Sequence, residues 1–90
     1  MNAEETVQKL KNALQERKIE FVEEEPGLLI VELPNDDQVC LIADPIDNYY
    51  FVEFRGATSG FGFRMKDVDE LIEQGIKTIL ERLPAGGNVH

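Results

Sequence analysis

Ninety residues, 42% of them hydrophobic and 8% aromatic, supply apolar surface for one modest core and leave no room for a second domain. Eighteen Asp and Glu against nine Lys and Arg give a net charge of −9, which repels phosphate backbones at long range and argues against direct nucleic-acid binding. A single cysteine, Cys40, excludes an internal disulfide framework, and no run approaches the roughly 18 apolar residues that span a bilayer, so the chain reads as cytoplasmic with no membrane partner.

The first element announces itself by its cap. Asn2 followed by Glu5 is a capping box with Asn in the N-cap position, and Val7, Leu10 and Leu14 then recur at helical spacing until about Lys18. From Ile19 the period changes to two, with Ile19 and Phe21 alternating against Glu20 and Val22, which predicts a first strand running to Pro26-Gly27. That dipeptide suits the centre of a type II turn. "LLIVEL" (28–33) is the second strand, "PNDD" the turn after it, "QVCLIA" (38–43) the third strand, "DPIDN" the next turn, and "YYFVEFR" (49–55) the fourth strand.

The last helix is also capped. Asp67 with Glu70 is an Asp version of the same box, and Val68, Leu71, Ile72, Ile76, Ile79, Leu80 and Leu83 make a wide apolar face. Gly75 lies in that face, which implies that the helix backbone approaches the sheet closely there. Pro84 closes the helix, so residues 1–84 form a single α+β domain and 85–90 a flexible tail.

The element order α-β-β-β-β-α, with room for a short fifth strand at 61–64, predicts an antiparallel meander sheet with both helices on one face. Placing Leu29, Val31, Leu33, Val39, Leu41, Tyr50, Val52 and Phe54 under the helices turns Val22, Leu28, Ile30, Cys40, Ile42, Tyr49 and Phe51 to the other face. These seven side chains, rimmed by Glu20, Glu24, Glu32, Gln38, Glu53 and Arg55, would form an uncovered apolar surface, a common mark of an interface.

The segment 55–66 is an exception to the acidic background, carrying Arg55, Arg64 and Lys66 with no acid, and three glycines. Glycines between a strand and a capped helix suit a phosphate loop, which makes Arg55, Gly60, Gly62, Arg64 and Lys66 a candidate anion site. The spacing matches neither G-x4-G-K-[ST] nor G-x-G-x-x-G, however. The plainer reading takes "GATSG" as a turn and "FGFR" as the extra strand.

Catalysis has little to rest on. His90 is the only histidine and falls in the predicted tail, Cys40 sits mid-strand, and Asp36, Asp37, Asp44 and Asp47 are placed as turn residues, so no enzyme, cofactor or metal site is expected. The leading expectation is a small interaction module, a regulator or adaptor, that forms a homodimer or docks another protein with a basic surface. Two alternatives stand beside it: an acidic mimic of nucleic acid that inhibits a DNA- or RNA-handling enzyme, and a small anionic-ligand binder using the basic loop.

Overall fold

The computed structural model describes residues 2–83. The opening helix, α1, spans Ala3–Glu16, and both halves of its cap are made: the Glu5 N–H donates to Asn2 Oδ1 at 2.8 Å, and the Asn2 N–H donates to Glu5 Oε1 at 2.9 Å. Two of the N–H groups left without helical partners at the start are satisfied in this way.

The exit from α1 differs from the sequence reading. Ile19 N–H reaches back to Leu14 O at 2.9 Å and Lys18 N–H to Gln15 O at 3.0 Å, with Lys18 in the left-handed region at φ 57°. That pair of bonds is a Schellman closure, and Leu14 and Ile19, the pair such a closure usually brings together, are both buried in the one core. Ile19 and Phe21 therefore pack on the core as connecting residues, and the first strand, β1, begins only at Val22 and spans Val22–Glu25.

Four further strands follow: β2 (Leu28–Glu32), β3 (Gln38–Asp44), β4 (Tyr49–Arg55) and β5 (Gly60–Met65). All neighbours pair antiparallel, in the order β1-β2-β3-β4-β5, so the predicted meander carries a complete fifth strand. Short turns set the order. Gly27 takes φ 85°, the value that position i+2 of a type II turn requires, and a Cβ there would stand 2.3 Å from Ala43 O. Between β2 and β3, Pro34–Asp36 forms a 3-10 turn with Asn35 and Asp36 left-handed, and between β3 and β4 the Asp47 N–H donates to Asp44 Oδ1 at 3.2 Å.

The second helix, α2, covers Val68–Arg82. Its cap is half of the expected box: the Glu70 N–H donates to Asp67 Oδ1 at 2.8 Å, whereas the Glu70 carboxylate accepts from the Lys66 N–H instead of from Asp67. Pro84 and residues 85–90, with the predicted tail and His90, lie outside the described residues.

Both helices pack on the same face. Leu10 and Leu14 of α1 and Leu71, Ile76 and Ile79 of α2 share one core with Leu29, Val31, Val39, Leu41, Tyr50, Val52 and Phe54 of the strands. Period two along each strand puts these sheet residues on one side. Gly75 permits the close fit, since a Cβ at that position would meet Leu41 Cδ2 at 2.8 Å. Two ion pairs tie the layers at the surface: Lys9 with Asp69 across the helices, and Lys11 with Glu23 between α1 and β1.

Candidate interaction surface and basic hairpin

The register places all seven predicted outer-face residues on the side of the sheet away from the helices. One row across the strands reads Leu28, Ile42, Phe51, Arg64, and the next reads Val22, Ile30, Cys40, Glu53, Gly62, with Tyr49 opposite Asp44 at the end of β4. These residues are not equally open. Ile30 and Cys40 are 7% and 1% exposed although no described helix lies over them; both are on interior strands, with paired neighbours on either side. Leu28, Ile42, Tyr49 and Phe51 are half-buried, and Val22 on the edge strand is exposed.

Aromatic contacts extend this surface toward β5. The Tyr49 and Phe51 rings stack with centroids 5.8 Å apart and planes 7° from parallel, and the Arg64 guanidinium lies over Tyr49 at 5.2 Å. Burial pushes the Cys40 thiol up; the Arg55 cation opposes that shift, and the Glu53, Glu24 and Glu32 carboxylates reinforce it. A thiol held in its neutral form is a packing group in character, as a cysteine in mid-strand usually is.

The candidate anion residues are distributed along a hairpin and are not gathered around one point. Gly60 and Gly62 are in the extended strand β5, where successive N–H groups point to opposite edges and do not converge. Arg55 sits opposite Gly60 and Arg64 opposite Phe51, an offset of four residues along the ladder or about 13 Å. Arg55 Nε is already engaged, donating to Glu53 Oε1 at 3.1 Å, while Arg64 donates to Asn48 O at 3.3 Å.

A feature that sequence reading missed lies on the helix side of the same hairpin. α2 sits over β3 and β4 and reaches β5 only slightly. A groove of about 520 Å³ is left between β5 and α2, floored by Phe61, Phe63 and Met65 and walled by Glu70, Gln74, Lys77, Thr78, Glu81 and Arg82. Arg82 places its guanidinium over Phe54 at 4.5 Å and over Phe61 at 5.0 Å, closing one end. The available signal was the absence of any acid between Arg55 and Lys66, together with apolar residues at 61, 63 and 65. A second cleft, of about 700 Å³, opens at the far end of the sheet between α1 and the turns around Pro26 and Pro45.

Among the described residues no group of three His, Cys, Asp or Glu could hold a metal ion, and no helix is long and apolar enough to cross a membrane. No family model, no curated protein and no solved structure matches the chain.

Proposed function

We propose that this chain is a small cytoplasmic protein–protein interaction module that acts through the open face of its sheet, in the first place by pairing with a second copy of itself. The observation that supports this is the one-sided fold: two helices cover one face of a five-stranded sheet, and the other face carries half-buried Leu28, Ile42, Tyr49 and Phe51 in adjacent positions. A two-layer domain whose sheet is apolar on both sides has one apolar side left over, and burying it against protein is its most direct route out of water.

The rim adds selectivity. Glu24, Glu32 and Glu53 lie near Cys40 on this side, so a partner other than a second copy would be favoured if it carried Lys or Arg around an apolar centre. Replacing Ile42 by Lys sets a charge in the middle of the row Leu28, Ile42, Phe51 without touching the helix-side core. Light scattering on that variant should show loss of self-association with an unchanged circular dichroism spectrum. Unchanged assembly would remove the open face as the interface.

A further inference from the structure

We infer that the free edge of β5, together with the groove between β5 and α2, takes up an extended segment of a partner protein by strand addition, and that the segment alternates apolar with acidic residues. The groove lies on the helix side of the hairpin and the edge at its rim, so the site is distinct from the row Leu28, Ile42, Phe51; Arg64, on the open side of β5, borders both.

Backbone chemistry comes first. The Gly56 N–H donates to Ser59 O at 2.8 Å, which makes this the first bonded pair of the β4–β5 ladder. Bonded and non-bonded pairs alternate along antiparallel strands, so Phe61, Phe63 and Met65 bond to β4, while Gly60, Gly62 and Arg64 turn their N–H and C=O groups outward. Those outward groups are a template for one more strand. Gly60 and Gly62 add no side chain beside it.

The two edges of the sheet are treated differently. β1 is short, reads Val-Glu-Glu-Glu, and has a register break between Glu23 and Glu25, all of which discourage pairing. β5 has six residues, no acid and no bulge. Only one edge is guarded.

Side-chain chemistry then selects the guest. On the helix side, residues of an added strand would lie against Phe61 and Phe63, which are 37% and 57% exposed, and beside the groove under α2; apolar side chains fit there. On the other side they would lie near Arg64 and Lys66. Of the nine Lys and Arg, five form ion pairs with described carboxylates, and the four that do not are Lys18, Arg64, Lys66 and Lys77. Three of those four border β5 or its groove. Glu70 and Glu81 line the groove beside Lys77, so the preference for carboxylates from outside rests on Arg64 and Lys66 on the open side of β5, and the groove side takes the apolar residues of the guest.

The test is a titration of the ¹⁵N-labelled full chain with a capped peptide of four Asp-Val repeats, followed by amide shifts and by fluorescence anisotropy. Saturable binding is expected, with the largest shifts at Gly60, Gly62 and Arg64. The Arg64→Glu, Lys66→Glu double variant, which leaves the strand backbone and the Phe61 and Phe63 floor in place, should bind at least tenfold more weakly. Equal binding of a four-repeat Lys-Val peptide, unchanged affinity in the double variant, or shifts centred on Ile30 and Ile42 would each overturn the inference. So would self-association that protects the Gly60, Gly62 and Arg64 amides, because a second copy would then occupy the edge.

Discussion

The ring of Phe51 reaches over Gly62, so close that a Cβ on Gly62 would stand 2.5 Å from Phe51 Cζ and 2.6 Å from Cε2. The missing side chain is what lets Phe51 cover β5 on the open face and stack on Tyr49. Gly62→Ala should push the ring outward, with a loss of about 1 kcal/mol in urea unfolding. A chemical-shift change at Tyr49 should accompany it. A neutral or stabilising effect with unmoved Tyr49 signals would show that the ring is not held there.

Gly75 offers the inverse of the usual helix rule. Alanine in place of a mid-helix glycine ordinarily gains up to about 1 kcal/mol, yet here the new Cβ would meet Leu41 Cδ2 at 2.8 Å in a fully buried site. Overpacking should outweigh propensity, and Gly75→Ala is expected to destabilise the fold by about 1 to 2 kcal/mol in thermal or urea melts.

Lys18 is the opposite case. Its φ of 57° belongs to the C′ position of the α1 cap, where glycine is the preferred residue and a side chain is strained. Lys18→Gly should stabilise the protein by up to about 1 kcal/mol, because relief of that strain exceeds the added freedom of the unfolded chain. A lower melting temperature would contradict the closure described at this helix end.

Glu23 carries a pH prediction. Lys11, by a direct hydrogen bond at 2.6 Å, and then the Gly27 N–H at 3.1 Å hold its carboxyl below the ordinary value of 4.5. A group lowered in the folded state stabilises above its unfolded pKa and loses that contribution as pH falls through the folded value. The stability difference between the parent and Glu23→Gln should therefore be constant near neutrality and shrink as the pH drops below about 4.5. Measuring the difference removes the separate effect of neutralising the other acids.

Much of this architecture is written locally. Asn2 with Glu5, Asp67 as N-cap, the apolar face of α2 and the period-two strands each fix their own element, and strand parity alone places Cys40 and Ile42 away from the helices. Local signals failed where two structures share one pattern. Ile19 and Phe21 alternate like a strand, but the bond from Ile19 to Leu14 commits them to the helix exit, and a period of two does not reveal a five-residue backbone bond. In the basic segment the short strand expected at 61–64 is part of β5, whereas the closeness of its cations in sequence suggests a single anion site. Strand pairing then separates Arg55 from Arg64, and the groove beside Phe61 and Phe63 depends on α2 settling over β3 and β4, a tertiary outcome with no local mark.

Size-exclusion chromatography with light scattering at low and high salt tests most directly whether the open sheet face pairs with a second copy. Apolar burial predicts a particle of twice the chain mass that persists at high salt, since screening acts on the Glu rim and not on Leu28, Ile42 and Phe51. A monodisperse single chain at both salts would contradict it.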